Sequence, residues 1–175
     1  MGSLKAIVAV CNDWSIGIDG KMIVENRADM KHFVRCTTGD TVIMGRRTLE
    51  SLPGGSALPR RRNIVFTRDS QLSIPHVETV SSVDELMELL GDNETGWVIG
   101  GGQIYQLLLP FCDTAIVTKN HVIAPADTYF PNLDEDPAWS LVQVSEPAVV
   151  EPGEGDEGLV YQFCTYKRSN KVSFE

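Results

Sequence analysis

Metal-binding and disulfide patterns are missing from this chain, and so is any long apolar run. Its 175 residues include four cysteines and three histidines. Cys11, Cys36, Cys112 and Cys164 are scattered with no Cys-x-x-Cys spacing, which argues against a zinc site and against a disulfide framework. His32, His76 and His121 make no His-Glu-x-x-His pattern. No apolar stretch approaches the ~18 residues of a membrane span, and no leader pattern is visible. Ala6 stands where a myristoylation signal requires Ser or Thr. We therefore expect a cytoplasmic protein with no membrane partner and no bound metal. Positive charge is scarce too: 15 Lys and Arg against 24 Asp and Glu give a net charge of −9, which argues against a nucleic-acid partner.

The few cations are unevenly placed. Arg46, Arg47, Arg60, Arg61, Arg62 and Arg68 fall in one short stretch, which suggests a small anionic ligand; a solvated basic loop is the alternative. A second anion signal follows an apolar run. Val98-Ile99 leads into Gly100-Gly101-Gly102, and Gln103-Ile104-Tyr105 begins a helix-like segment. Glycines let a ligand approach the backbone, and the free N–H groups of a following helix favour negative charge. The pattern is not Gly-x-Gly-x-x-Gly, because Tyr105 replaces the third glycine.

The length suits one domain, and the hydrophobic fraction of 42% is ordinary for a globular one. Leu4–Cys11, Thr41–Met44, Asn63–Thr67, Trp97–Ile99, Ala115–Thr118, Ser140–Ser145 and Leu159–Tyr166 read as strands. Asn12–Asn26 reads as a long loop with a turn at Asp19-Gly20. Arg27–Thr37 has helical spacing, with Met30, Phe33 and Val34 on one face and Asn26 as its cap. Ser82 and Glu85 form a capping-box pattern for another helix, with Leu86, Leu89 and Leu90 inward. Strands alternate with helices from Thr41 to Ile104, which predicts parallel pairing with crossover helices. The expected fold is a single-domain α/β architecture. It has a central, mostly parallel sheet of about eight strands, flanking helices and a C-terminal antiparallel hairpin. The domain should span 1–168, with 169–175 as a tail. The acidic clusters at Asp134–Asp136 and Glu154–Glu157 read as solvated loops.

Asp29 is the notable carboxylate, lying between Ile23-Val24 and Met30/Phe33. A carboxylate beside an apolar helix face is costly to bury without a partner, although a place in the first helical turn favours it through the dipole. Several blocks in one order then resemble dihydrofolate reductase. These are Ile7-Val8-Ala9 with Ile16-Gly17, Met22 through Phe33, and Val42-Ile43-Met44-Gly45-Arg46-Arg47-Thr48-Leu49-Glu50-Ser51-Leu52. Leu58-Pro59 with Arg61 and Asn63, the triple glycine with Tyr105, Thr118, and Asp127–Pro131 complete the series.

The resemblance implies hydride transfer from NADPH to C6 of dihydrofolate, with water-mediated protonation at N5. It implies antifolate binding and a monomer as well. Asp29 would face the pterin and Thr118 would hold it, these two being the catalytic residues. Ile7, Val8, Ile99 and Tyr105 would line the pterin site together with Val24 and Met30. Phe33, Leu52 and Leu58 would contact the benzoyl group, and Arg61 the α-carboxylate. On the cofactor side, Ala9, Ile16 and Gly17 would meet the nicotinamide, and Gly45, Arg46, Arg47 and Thr48 the phosphates. Phe66, Thr67 and Arg68 would lie at the 2′-phosphate. Gly101, Gly102, Gln103 and Ile104, with Ile99 and Tyr105, would lie along the pyrophosphate. The Gly100–Gly101 peptide would be cis.

One block departs. The family usually shows Met-Pro-Trp-x-Leu-Pro-x-Asp, whereas this chain has Met22-Ile23-Val24-Glu25-Asn26-Arg27-Ala28-Asp29. Both prolines and the tryptophan are gone, and Asn26 fills an apolar slot. A looser pterin wall and altered antifolate sensitivity are expected. Two other readings are a non-catalytic NADPH-binding protein and a pyrimidine reductase of riboflavin synthesis. The retention of Asp29, Thr118 and Arg61 argues against the first, and the Asp29/Phe33 spacing against the second.

Overall fold

Alternating apolar runs and turns become a nine-stranded sheet in the computed structural model, which describes residues 2–169. In chain order the elements are β1 (Ser3–Val10), β2 (Ser15–Gly17), α1 (Arg27–Thr37), β3 (Thr41–Gly45), α2 (Arg46–Ser51), β4 (Arg62–Phe66), β5 (Val77–Val80) and α3 (Val83–Leu89). Then follow β6 (Thr95–Gly100), α4 (Gly102–Leu108), β7 (Cys112–Asn120), β8 (Thr128–Tyr129), β9 (Trp139–Val144), β10 (Ala148–Val149) and β11 (Val160–Arg168). The sheet order is β10-β11-β7-β1-β6-β3-β4-β5, with β9 also pairing with β11. Every pair from β7 across to β5 is parallel, and the pairs made by β11 are antiparallel. Of the expected tail, only Ser169 is described, and its N–H donates to the Ala138 carbonyl; the rest lies outside the described residues.

Apolar runs without alternation are what a strand covered on both faces requires. Leu4, Ala6, Val8 and Val10 of β1 join Ile43, Val98, Leu86 and Leu108 in one cluster. Ile7, Val42, Met44, Leu49, Val65 and Trp97 form a second cluster, with Phe33, Leu52, Leu58 and Ile99 packed against it. That second cluster holds Ile7, Phe33, Leu52, Leu58 and Ile99 of the apolar residues expected around a ligand, while Val8, Phe66 and Tyr105 lie in the first.

Several expectations need correction. Asn12–Asn26 is not all loop, because β2 pairs with β8. Asp19 and Gly20, at φ 51° and 76°, make the tight turn that brings Ile18 against Lys21. β5 was missed because Val-Glu-Thr-Val is mostly exposed at the sheet edge and carries little apolar signal. The Ser82 hydroxyl does accept from the Glu85 N–H, yet the Glu85 carboxylate reaches Ser81 rather than Ser82. Asp134 is not simply solvated, since it accepts from Lys119 Nζ at 2.6 Å and from the Tyr166 hydroxyl at 2.7 Å. Nor does α1 bury the stripe expected of it: Met30 is 49% exposed and Val34 38%.

Candidate active site

Asp29 owes its place to a cap. Asn26 is extended at φ −146°, and its side chain accepts from the Asp29 N–H at 3.3 Å, which starts α1 one turn before the carboxylate. On the neighbouring strand, Thr118 is buried, and its hydroxyl donates to Asp29 Oδ1 at 2.5 Å. Thr118 lies opposite Ala9 of β1. Burial pushes the Asp29 carboxyl above the ordinary aspartate value, and the Thr118 bond opposes that shift in part. Tyr105 is buried beside it and donates its hydroxyl to the Ile7 carbonyl at 2.7 Å. Burial and the negative charge of Asp29 both push the phenol up, so Tyr105 stays a neutral donor.

Phe33, Leu52, Leu58 and Ile99 are half-buried over the second cluster, while Met30 remains exposed and Val24 half-buried. Beyond them lies Arg61. Its Nε donates to the Pro59 carbonyl at 2.9 Å and one terminal nitrogen to Thr37 Oγ1 at 3.0 Å. Thr37 in turn donates to the Phe33 carbonyl. The guanidinium is thereby tied to the end of α1. Buried Asn63 fixes the same loop: its Oδ1 accepts from the Leu58 N–H, and its Nδ2 donates to the carbonyls of Leu58 and Arg61. Sequence reasoning assigned no role to Thr37 or Asn63. The one available signal was an asparagine opening the apolar run of β4.

On the other side of the cluster two helix starts converge. Gly45 precedes α2 and Gly101 precedes α4, and neither start has a side-chain cap. A Cβ on Gly45 would lie 3.0 Å from Ile104 Cγ1 and 3.9 Å from the Gly101 nitrogen. One on Gly101 would lie 3.6 Å from Thr48 Oγ1, and one on Gly102 only 2.9 Å from Thr128 Cγ2. The Gly100–Gly101 peptide is cis. Uncapped N–H groups from two helices at one place favour an anion.

Arg46 is held at the rim by Glu50 and Asp69, both at 3.1 Å. Arg47 and Arg68 are exposed and make no such pair among the described residues. Next to Arg68, the Thr67 hydroxyl accepts from the Asp69 N–H, and Phe66 is buried. Val8 is buried, whereas Ala9, Ile16 and Gly17 are half-buried; Gln103 is exposed.

The divergent block is gripped by a distant loop. The Arg27 N–H donates to the Glu154 carbonyl at 2.8 Å. Asp156 donates its N–H to the Glu25 carbonyl, and its carboxylate accepts from the Glu25 N–H at 2.9 Å. This corrects the expectation that Glu154–Glu157 is only a solvated loop. Its contacts reach the main chain of residues far away in sequence, which no local pattern reveals.

Comparison with known proteins matches this arrangement. The family model described as Dihydrofolate reductase matches residues 3–168. The chain is 39% identical over 165 residues to dihydrofolate reductase type 3 of Salmonella typhimurium, covering 94% of this chain and 98% of that protein. It is 34% identical over 155 residues to dihydrofolate reductase of Bacillus subtilis, covering 89% and 88%. Among solved structures, dihydrofolate reductase from Enterococcus faecalis complexed with NADP(H) and RAB-propyl superposes with a TM-score of 0.85. That match has 30% identity and covers 96% of this chain and 97% of that one.

The raised Asp29 value has a consequence for stability. A carboxyl that holds its proton more tightly when folded lowers stability as pH rises from the ordinary aspartate range through its folded value. Asp29→Asn removes that loss and keeps an acceptor for Thr118. Urea unfolding should show the variant more stable than wild type at neutral pH, with the advantage fading below the ordinary aspartate range. A wild type at least as stable at neutral pH would contradict the assignment.

Proposed function

We infer the chemistry of this site from one premise: the chain belongs to the dihydrofolate reductase family and reduces dihydrofolate with NADPH. The observation that carries the residue assignments is the half-buried Asp29 carboxylate held by Thr118 at 2.5 Å, at the apolar cluster's edge. In this reading the two Asp29 oxygens receive N3–H and the 2-amino group of the pterin as a bidentate pair. Ile7, Val8, Ile99 and Tyr105 line the ring, with Val24 and Met30 as its outer wall. Phe33, Leu52 and Leu58 take the benzoyl group, and Arg61, already oriented by Thr37 and Pro59, takes the α-carboxylate. Asp29 anchors the ring, and water carries the proton to N5. The same pocket accepts antifolates.

The glycine side fits NADPH, because it offers uncapped N–H groups and approaches that a Cβ would close. Gly45, Arg46, Arg47, Thr48, Gly101, Gly102, Gln103 and Ile104 would hold the diphosphate. Phe66, Thr67 and Arg68 would hold the adenosine end with its 2′-phosphate. Ala9, Ile16 and Gly17 would hold the nicotinamide, with Ile99 and Tyr105 beneath it. When bound, the cofactor supplies the hydride that reaches C6. The N5 proton and C6 hydride together complete tetrahydrofolate.

The reading includes action as a monomer. Net charge −9 supports the absence of a nucleic-acid partner. The reading places the protein in the cytoplasm; no helix among the described residues is long and apolar enough to cross a membrane.

The test is NADPH oxidation with and without dihydrofolate, set beside NADPH binding alone. Asp29→Asn should lose about 100-fold or more in kcat/KM and still bind NADPH. Arg61→Ala should raise KM for dihydrofolate about tenfold with kcat little changed. Undiminished turnover of Asp29→Asn at neutral pH would refute the role given to the carboxylate.

A further inference from the structure

Two side chains of β7 reach the first turn of α1. Thr118 and Asn120 are two residues apart on the strand and so share a face. Thr118 donates to Asp29, and Asn120 Oδ1 accepts from Asn26 Nδ2 at 3.5 Å. The oxygen of Asn26 is already taken by the Asp29 N–H, which settles the orientation of its amide. Asn120, Asn26, Asp29 and Thr118 thus form one connected ring between strand and helix.

The two amides are 1% and 6% exposed, and Asn120 Nδ2 has no partner. An apolar side chain at Asn120 would leave no buried donor unpaired. The unpaired Asn120 amide nitrogen therefore costs stability, whereas Asn26 contributes stability as the cap of α1.

The segment bearing Asp29 is also held by a second element, the loop at Glu154–Asp156. Gly155, at φ 127°, lies so close that a Cβ there would stand 2.2 Å from the Glu25 carbonyl oxygen. Arg27 occupies the position of a family proline, and its N–H makes the bond to Glu154 that a proline cannot make.

We propose that Asn26, Asn120 and the 154–156 loop form a two-sided latch. These positioning residues fix Asp29 and the Val24 wall of the folate pocket. The proposal rests on the reading of Asp29 as the pterin carboxylate.

Asn120→Leu removes the amide while keeping the number of side-chain heavy atoms and the branching, and Asp156→Ala removes the acceptor for Glu25 from an exposed loop. The second variant keeps the test open if the first fails to fold. Each is measured in the full-length chain, well below its melting temperature. KM for dihydrofolate and the Kd of a diaminopyrimidine antifolate should rise about three- to tenfold. The Kd for NADPH should stay within about twofold. A merely structural role would lower the melting temperature and weaken both ligands alike. Unchanged folate KM in the folded variants, or parallel loss of folate and NADPH affinity, overturns the latch. If Asp29→Asn loses turnover while both variants keep wild-type KM, the latch alone fails. If Asp29→Asn keeps turnover, the underlying reading fails.

Discussion

A carboxylate kept out of bulk water, with a single hydroxyl to hold it, is the constraint on which the site depends. Asp29 pays for its half-buried place with a raised proton affinity that Thr118 offsets only in part. A buried carboxylate with unused lone pairs is unfavourable alone and favourable once a matching pair of donors arrives. In the proposed reading, that asymmetry makes the first turn of α1 a recognition element. The parallel pairing of β7 with β1 sets Thr118 opposite Ala9, one strand over from the Ile7 carbonyl that accepts from Tyr105.

Both clusters contribute to the proposed site. The cluster of Leu4, Ile43, Leu86 and Leu108 also holds Val8 and Tyr105, which are assigned to the pterin. The second cluster, around Ile7, Val42 and Trp97, is bordered by the half-exposed Phe33, Leu52, Leu58 and Ile99, which are assigned to ligand as well. In the proposed reading, the helix starts at Gly45 and Gly101 take the dinucleotide and the Asp29 carboxylate takes the pterin, and electrostatic contacts over such apolar ground are weakly screened.

Legibility in the sequence follows the range of the interaction. α1 was readable to its end residues, because spacing and an Asn26 cap are local signals. The parallel core was readable from uninterrupted apolar runs, while β5 was hidden by its exposed Glu78 and Thr79. Within the candidate site, Asp29 stood out as a carboxylate beside an apolar helix face and Arg61 as part of the arginine-rich stretch, whereas Thr118 was singled out only by the family blocks. Thr37 and Asn63 orient Arg61 and Leu58 by bonds that no spacing rule encodes. The grip of Asp156 on Glu25 spans 131 residues, and the Asn26–Asn120 contact spans 94. The altered block at 22–27 therefore reads as loosened in sequence, whereas in the fold it is tethered on two sides.

The most direct measurement is a carbon NMR titration of the Asp29 carboxyl in the ligand-free protein, repeated in Thr118→Val. Burial outweighing the Thr118 bond predicts a midpoint above the ordinary aspartate value, moving further up when the hydroxyl is removed. A midpoint at or below the ordinary value, or one that does not respond to the variant, would contradict the account.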